Sequence, residues 1–485
     1  MKQLSKTTLS ELKPEIHAPL YGENAITSGI VHFGTGNFHR AHQAVYCDAL
    51  LNQGETKWGI TGVSMRSSDM RDKLVPQDFL YTQATLGDKT DYRIIGSIQN
   101  IYVAPENPRA VIDAVANSTT QLVTTTITEK GYCLTSGKVD LQNPLIQHDL
   151  ESLESPQSTY GFLAAALIQR CAEQGAPVTI LCCDNMHAGG EHLRDGVYLL
   201  LEQHDPDAIY WVSKNVAFSS SMVDRVTPAT SEQLIQNVAE KLGLHDAAPV
   251  AAEPFTQWVI EDNFAGQRPP FDQVGAIFVD DISIFERIKL RFLNAGHSML
   301  AGMGYLAGDQ FIHEALERPT LAAFTEQALK NNALPVTRAP ASMDVNDYIE
   351  QVFERFRNSN LPYAVLQVGS DSSQKIQQRW MPTIDDAIAV NGEYQYFAFA
   401  LASWVHFIHK ALNNNDLIDP LRNEFAQVQS SDLASRVRQY LELAGANRFV
   451  FYSNSDFMAL VVRYHLIIDQ VGIEKAIETT QILAK

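Results

Sequence analysis

The sequence predicts an α/β protein in which a domain built on a parallel β-sheet is followed by a mainly α-helical domain. Up to about residue 280, short β-branched runs alternate with amphipathic stretches, the pattern of parallel strands joined by crossover helices. Beyond residue 282 the strand signal nearly vanishes, and long stretches with a period of 3.6 residues follow. A chain of 485 residues is also longer than one compact core requires. We therefore expect two domains, residues 1–282 and residues 283–485.

The individual elements follow from local patterns. Apolar runs rich in β-branched residues predict strands at 29–33, 58–65, 121–128, 177–183 and 274–280. Helices are expected between them, for example at 39–52 and 160–174. In the second domain, periodic stretches predict helices at 285–306, 321–331, 345–357, 394–412 and 433–444.

Charge and cysteine content exclude several classes of function. A net charge of -19 repels phosphate backbones and anionic lipid, so we expect neither nucleic acid nor a membrane as a partner. Small neutral solutes, or anions that the site neutralises locally, fit better. The five cysteines are scattered and lack paired metal-ligand spacing, so neither a disulfide framework nor a structural zinc site is expected. Without an apolar leader or a stretch of about 20 apolar residues, the protein is expected to be cytoplasmic.

The segment GIVHFGTGNFHRAH resembles a nucleotide-binding turn. It places a predicted strand before Gly34 and Gly36, and a helix after them. Glycines at these positions permit a tight turn and let backbone amides approach a pyrophosphate. We expect Gly34, Gly36 and Phe38 to contact the cofactor. The third glycine of the usual pattern is replaced by His39, so a strand-to-helix turn without a ligand is the alternative.

Charged residues near this turn bear on the identity of the dinucleotide. Arg40 is expected either to add a cation at the diphosphate or to be a solvated surface residue. Arg66 and Asp69 follow the second predicted strand, where such folds place an acid on the ribose hydroxyls or a cation on a 2′-phosphate. Asp69 favours NAD, although it also suits a helix N-terminus, and Arg66 suits the phosphate of NADP. NAD is the first expectation, and NADP stays open.

The segment ISIFERIKLRFLNAGHSML carries the strongest chemical signal. At 3.6 residues per turn its four polar residues lie within an arc of roughly 140°, namely Glu286, Lys289, Asn294 and His297. Oxidation of a secondary alcohol needs a base for the hydroxyl proton and a donor for the developing oxyanion, which a lysine and an amide supply. The alternative is an ordinary helix with a Glu–Lys pair and a hydrogen-bonded histidine.

A second amide lies just past a predicted strand. Asn185 follows the run VTILCCD, at the carboxyl end where open α/β sheets place ligand-contacting residues. It is either a second oxyanion donor or a residue that shapes the loop. Cys182 and Cys183 are expected to be core residues rather than nucleophiles.

With these motifs the sequence resembles the long-chain, metal-independent polyol dehydrogenases of the mannitol dehydrogenase family. The similarity runs through nearly the whole chain and is carried by GTGNFHRAHQAVY, TITEKGYC, CCDN, SMVDRVTP, EPFTQWVIEDNF, KLRFLNAGHS and SDSSQK. The resemblance implies an N-terminal Rossmann-type, doubly wound dinucleotide-binding domain and a mainly helical domain for substrate and catalysis. It also implies NAD-dependent hydride transfer at the CH–OH group of a polyol or aldonate, without a metal.

The resemblance assigns chemical roles to single residues. It implies that Lys289 is the general base and that Glu286 gates the exit of the proton. It also implies that Asn185 and Asn294 form the oxyanion hole. The segment MHAGG after Asn185 departs from the usual Asn-Gly pair, which puts substrate contacts of that loop in question.

Further residues are implied to contact the substrate. The resemblance places His297, Asp224 and Lys375 on the sugar chain. Mannitol 2-dehydrogenases tend to carry an arginine upstream of an SDGSSK-like motif, where this chain has Gln367. That glutamine, with Arg379 in the following QKIQQR, is more similar to the fructuronate reductase branch.

Several functions remain open at this point. Interconversion of D-fructuronate and D-mannonate is expected ahead of D-fructose and D-mannitol, or of a related polyol such as arabinitol. A uronate needs a cation at its carboxylate, and Lys375 or Arg379 would serve unless both are merely solvated. Two other readings are a Schiff-base nucleophile at Lys289, as in an aldolase, and a non-catalytic sugar or dinucleotide sensor.

Overall fold

The structure is a computed structural model that describes residues 1–22, 26–341, 343–430, 432–480 and 482. It divides into two compact units, Met1–Ile282 (unit 1) and Ser283–Lys485 (unit 2). In the described part of the chain no helix is both long enough and apolar enough to cross a membrane.

Unit 1 is built on β-strands that form one large sheet and three small ones. The strands are β1 (Lys2–Gln3), β2 (Ile30–Phe33), β3 (Ile60–Ser64), β4 (Tyr81–Leu86), β5 (Thr90–Ile95), β6 (Ile98–Val103), β7 (Leu122–Thr125), β8 (Leu134–Thr135), β9 (Lys138–Val139), β10 (Val178–Cys182), β11 (Val216–Asp224), β12 (Leu244–His245), β13 (Val250–Ala252), β14 (Gln257–Glu261) and β15 (Ile277–Val279). The large sheet has eight strands in the order β15-β14-β11-β10-β7-β2-β3-β6. The five predicted strands are all present, each shorter than predicted at one or both ends.

Six neighbouring strands of this sheet are parallel. They run from β11 through β10, β7, β2 and β3 to β6. Numbered by their position in the chain and read from β6 to β11, they follow one another as 3-2-1-4-5-6, the strand order of the Rossmann-type dinucleotide fold. At the far side β14 is antiparallel to β11 and β15 is parallel to β14. The predicted doubly wound, Rossmann-type domain is thus confirmed.

The helices of unit 1 cover both faces of the sheet. They are α1 (Asn37–Ala41), α2 (Gln43–Asn52), α3 (Asp69–Leu74), α4 (Pro108–Ala116), α5 (Pro144–Glu151), α6 (Thr159–Ala172), α7 (Gly189–His204), α8 (Ala208–Asn215) and α9 (Glu232–Leu242). Successive strand residues enter opposite cores: Val31 packs with α4, α6 and α7, whereas Ile30 packs with α2. Burial on both faces explains why these strands are continuous apolar runs in the sequence.

The predicted helix at 39–52 is broken. α1 ends at Ala41 and α2 begins at Gln43, because His42 between them leaves the helical region with φ −125° and ψ −89°. The imidazole Nε2 of His42 lies 3.0 Å from the carbonyl oxygen of Gln257. A tertiary contact of this kind cannot be predicted from local periodicity.

Unit 2 is helical, which confirms the predicted fold class of the second domain. Its helices are α10 (Ser283–Lys289), α11 (Ala295–Ala307), α12 (Ile312–Glu317), α13 (Pro319–Ala328), α14 (Val345–Arg357), α15 (Val365–Val368), α16 (Ser372–Arg379), α17 (Met381–Ala389), α18 (Gln395–Asn413), α19 (Arg422–Ala426), α20 (Leu433–Leu443), α21 (Ser455–Val471) and α22 (Ile473–Thr479). The long helix α18 is buried along most of its length and packs on α11 and α21. The predicted helices at 345–357, 394–412 and 433–444 correspond to α14, α18 and α20.

Candidate active site

In unit 1, most of the residues predicted to bind ligands lie at one edge of the sheet. Gly34 follows β2, Arg66 and Asp69 follow β3, Asn185 follows β10, and Asp224 is the last residue of β11. Because these strands are parallel, their carboxyl ends meet at the same edge, where open α/β sheets bind ligands. The structure therefore places these five residues along one edge of unit 1.

The glycine turn lies between β2 and α1. Gly34 has φ +101°, and a Cβ added to it would lie 2.1 Å from the carbonyl oxygen of Thr126. Gly36 differs, because a Cβ built there meets nothing within 4 Å. The fold itself thus requires glycine at position 34, whereas Gly36 leaves open space beside the backbone. The turn lies where β2 and β7 are neighbours, which is the switch point of this strand order and the place where dinucleotides bind in such sheets.

The structure corrects the expectation for Arg40. Its side chain is only 1% exposed, and its guanidinium donates to the carbonyl oxygen of Ala248 and to Oδ1 of Asn37. Arg40 is therefore neither a solvated surface residue nor a cation available to a diphosphate. His39, which replaces the third glycine, is also buried and stacks on His32 with a centroid separation of 3.4 Å. Burial lowers the pKa of both imidazoles, that of His32 to about 3, so the pair is neutral.

Arg66 and Asp69 are both exposed beyond β3. Asp69 is the first residue of α3, where a carboxylate also interacts favourably with the helix dipole. Its placement is compatible with either role that the sequence left open. The preference for NAD over NADP stays a prediction.

Asn185 is exposed just past the end of β10, whereas Cys182 and Cys183 are buried. Cys182 and Cys183 are core residues, and burial raises the pKa of both thiols, that of Cys182 to about 11. In the described part of the chain no three His, Cys, Asp or Glu side chains cluster in a way that would hold a metal ion.

Two acids lie at the ends of β10 and β11. Asp224, the last residue of β11, is 5% exposed. Asp184, a half-buried acid that follows β10 at the same edge, was not predicted to have a role of its own.

In unit 2, the helix predicted at 285–306 contains an irregularity at its chemical centre. α10 ends at Lys289, the next five residues form a π turn (Leu290–Asn294), and α11 then begins. The prediction of one regular helix is wrong here. A π turn holds about one residue more than an α turn, so it rotates the following residues by roughly 100° and narrows the arc of the four polar residues from roughly 140° to roughly 80°. The π turn therefore gathers these side chains more closely than a regular helix would.

The polar face of this segment is partly buried. Glu286, Lys289, Asn294 and His297 are all half-buried. Among the described residues, no hydrogen-bond partner lies near the buried Oδ1 of Asn294 or Nε2 of His297. A buried polar atom without a partner is unfavourable by about 1–3 kcal/mol, so a ligand that meets both atoms would explain them. The alternative of an ordinary helix with a hydrogen-bonded histidine does not describe His297.

His297 lies among aromatic rings and cations. Its ring stacks on Phe356 and meets Tyr363 edge-on, with both centroid separations at 5.1 Å. Burial, together with the nearby Arg379, Arg355 and Lys375, lowers the pKa of His297 to about 3. The imidazole is therefore neutral at physiological pH, and it offers a hydroxyl group a neutral hydrogen-bonding partner.

Two of these cations form no ion pair with a described acid, although the charges of Asp371 and Asp419 partly offset the effect of burial on the pKa of Lys375. Arg379 donates to Oγ of Ser298 (2.7 Å) and to the carbonyl oxygen of Asn294 (3.4 Å). Lys375 donates to the carbonyl oxygen of Val368 (3.2 Å) and to a serine hydroxyl. Among the described residues, neither cation has a carboxylate oxygen within 4.0 Å. Burial lowers the pKa of both, that of Arg379 to about 10, so the alternative of mere surface solvation does not hold.

Gln367 is exposed on the short helix α15, and its carbonyl oxygen accepts from Oγ of Ser370 at 2.8 Å. Its contact with substrate stays a prediction. Ser298 was not predicted, although it holds the guanidinium of Arg379; its position directly after His297 was the available signal.

Comparison with known proteins identifies the family. The mannitol dehydrogenase Rossmann domain matches residues 28–273, and the mannitol dehydrogenase C-terminal domain matches residues 281–463. The chain belongs to the mannitol dehydrogenase family. As a member of that family it is an oxidoreductase, and its first domain is of the dinucleotide-binding type. The resemblance inferred from the motifs is thus confirmed.

Three relatives match this chain over nearly its whole length. It is 35% identical over 466 residues to the D-mannonate oxidoreductase of Escherichia coli (strain K12), which covers 94% of this chain and 96% of that protein. Its structure matches that of a D-sorbitol dehydrogenase in substrate-free form with a TM-score of 0.90, at 30% identity and 98% and 100% coverage of the two chains. It also matches Pseudomonas fluorescens mannitol 2-dehydrogenase in ternary complex with NAD and D-mannitol, with a TM-score of 0.80, 34% identity and 99% coverage of each chain.

Proposed function

We propose that this family member is an NAD-dependent dehydrogenase that interconverts a 2-keto sugar acid and its aldonate, with D-fructuronate and D-mannonate as the first candidates. The observation that carries the substrate class is the pair of half-buried cations, Lys375 and Arg379, neither of which forms an ion pair with a described carboxylate. Arg379 is the stronger case, because Asp371 and Asp419 partly compensate the charge of Lys375. Removing a cation from water is unfavourable unless an anion compensates for it. The carboxylate of a sugar acid supplies that anion, whereas a neutral polyol does not.

The glycine turn between β2 and α1 supports the proposed binding of a dinucleotide. Gly34 shapes the turn, and the open space beside Gly36 fits a diphosphate at the backbone of Gly36 and Phe38. The exposed Asp69 is the proposed partner of the ribose hydroxyls, and the NAD complex of the Pseudomonas relative favours the same dinucleotide. When bound, the nicotinamide accepts or donates the hydride. The exposed Arg66 makes NADP the outcome to test against.

The side chains of this protein handle the proton and the developing charge. In the direction of oxidation, Lys289 takes the hydroxyl proton of the substrate, and Glu286 passes it towards solvent. Asn294 donates from its side-chain amide to the same oxygen, which lowers the energy of the oxyanion. The neutral His297 binds a neighbouring hydroxyl group of the sugar chain. The position of Lys289 and Asn294 at the two ends of the π turn supports this pairing of roles.

Two residues of unit 1 complete the proposal. Asn185, which is exposed just beyond β10, is the proposed second oxyanion donor. Asp224 is assigned to the sugar hydroxyls from the family resemblance. Small-molecule sugars or sugar acids are the proposed partners.

The second candidate is interconversion of D-fructose and D-mannitol, favoured by the likeness to the Pseudomonas mannitol 2-dehydrogenase. A substrate panel separates the two. D-fructuronate, D-fructose and arabinitol would each be assayed with NAD(H) and NADP(H) by nicotinamide absorbance, and we expect the highest kcat/KM for fructuronate with NADH. A higher kcat/KM for fructose would overturn the sugar-acid assignment. Binding of NADH without turnover of any substrate would support a sensor, and a borohydride-trapped adduct at Lys289 would support Schiff-base chemistry.

A further inference from the structure

Asp184 connects the ends of two neighbouring strands of unit 1 through hydrogen bonds. It follows β10, directly before Asn185. Its carboxylate accepts hydrogen bonds from the backbone amides of Ile127 (3.0 Å) and Thr128 (2.9 Å) and from the hydroxyl of Tyr132 (2.7 Å). All three donors belong to the loop after β7, the strand next to β10 in the sheet. We call this arrangement, Asp184 with its three donors, the Asp184 clamp.

The clamped loop has an unfavourable backbone conformation. Thr128 has φ 64° and ψ 159°, a region that essentially only glycine adopts without strain. Such a conformation persists only where the surroundings determine it fully. The two hydrogen bonds from the peptide units at Ile127 and Thr128 to Asp184 provide that restraint.

The same loop is anchored at its two ends. At the start, Oγ1 of Thr126 donates to the carbonyl oxygen of Gly34 at 2.8 Å, so the loop contacts the glycine turn. At its end, Tyr132 is fully buried, and its carbonyl oxygen accepts from the hydroxyl of Tyr160 at 2.8 Å. The Asp184 clamp thus connects a loop that is hydrogen-bonded at both ends to the strand end that carries Asn185.

We propose that Asp184 is a positioning residue for Asn185. The inference rests on the proposed function, in which the amide of Asn185 donates to the oxygen that becomes charged. Hydrogen-bond donors stabilise an oxyanion best when they are already oriented before the reaction. The backbone next to Asn185 is held twice, through the side chain of Asp184 and through the hydrogen bond from the amide of Met186 to the carbonyl oxygen of Asp184 (2.9 Å).

Asp184→Asn is the direct test. The NH2 group of the asparagine would face an N–H or O–H donor from which it cannot accept a hydrogen bond. The clamp would therefore loosen, although the volume of the side chain stays nearly the same. Since loss of an oxyanion donor lowers kcat about 10²–10³-fold, we expect a loss of about 10- to 100-fold from its misorientation. NADH affinity, measured by fluorescence titration, should change little. Tyr132→Phe removes only one of the three donors and should give a smaller loss in the same direction.

Asp149 provides a matched control. Its buried carboxylate also accepts from two backbone amides and a hydroxyl, those of Gln157 and Ser158, and lies 3.0 Å from Nδ1 of His148. Asp149 lies in α5 and not at a ligand-bearing strand end. Asp149→Asn should lower the Tm while leaving kcat per folded molecule unchanged. A normal kcat in Asp184→Asn with a lowered Tm would show that both clamps are merely structural and would overturn the proposal.

A double-mutant comparison shows whether Asp184 acts through Asn185. In an Asn185→Ala background, Asp184→Asn should lower kcat no further. An equal loss in both backgrounds would overturn the positioning role and leave the proposed function intact. A normal kcat in Asn185→Ala alone would overturn the oxyanion role of Asn185 in the proposed function, and this inference with it.

Discussion

Replacing Arg379 by methionine should remove the proposed preference for a sugar acid over the neutral ketose. The guanidinium is half-buried, is fixed by Ser298 at 2.7 Å, and has no carboxylate partner among the described residues. A charge pair about 4 Å apart near a protein surface is worth about 4 kcal/mol in an effective dielectric of 20. Partial exposure reduces this to about 1.5–3 kcal/mol, the usual value for a hydrogen bond to a charged group. This corresponds to a loss of about 10- to 150-fold in kcat/KM for fructuronate.

Steady-state kinetics on fructuronate and fructose would measure this effect, with fructose as the internal control. Because fructose lacks the carboxylate, its kcat/KM should change little in Arg379→Met. Arg291→Met is the matched control variant: Arg291 is also buried and cationic, but it forms an ion pair with Asp386. That variant should lose stability and keep the ratio of the two kcat/KM values. An unchanged ratio in Arg379→Met would refute recognition of the carboxylate by this arginine.

Three other predictions test the remaining parts of the site. Lys289→Ala should lower kcat at least about 10²-fold while NADH affinity stays nearly unchanged, and near-normal turnover would remove the proposed base. Gly34→Ala should sharply lower the Tm, because the new Cβ would lie 2.1 Å from the carbonyl oxygen of Thr126; Gly36→Ala should keep a near-normal Tm but weaken NADH binding, and equal effects of the two changes on Tm would contradict this distinction. His297→Asn should reduce the loss of stability on acidification, because burial holds the pKa of His297 at about 3 and below its ordinary 6.5. The folded protein then binds fewer protons than the unfolded chain, so stability is lost as pH falls from 6.5 towards 3; urea unfolding at pH 7 and pH 5 would measure it, and an identical pH dependence in the variant would argue against it.

The strands of unit 1 could be predicted from the sequence where both faces of a strand are buried, because burial then gives a continuous apolar run. Strands β2, β7 and β10 are apolar runs because both of their faces are covered. Strand β11 was not predicted, since its serines do not look like the interior of a sheet. The structure satisfies them internally: for example, Oγ of Ser221 donates to the carbonyl oxygen of Cys182 at 2.8 Å. Such partners are distant in sequence and leave no local signal.

The candidate site was predicted better in composition than in geometry. The types and spacing of Lys289, Asn294 and His297 pointed to alcohol chemistry, but the π turn that gathers them has no signature in the hydrophobic period. The prediction for Arg40 was wrong for a related reason. Its position after the glycine turn suggested a ligand, whereas tertiary packing turns its side chain into the interior of unit 1.

Arg291 and Arg379 are both withdrawn from water, but only Arg291 forms an ion pair among the described residues. This difference favours a ligand as the missing partner of Arg379. The chain carries 56 acidic and 37 basic residues, so acidic partners are plentiful. Arg291, in the same helical run as the predicted base, pairs with Asp386. Arg379 and Lys375 are also withdrawn from water but contact only hydroxyl and carbonyl oxygens among the described residues. Because the net charge of the chain is -19, its overall field does not favour the approach of an anion, so the proposed recognition of a sugar acid would depend on short-range contacts with Arg379 and Lys375.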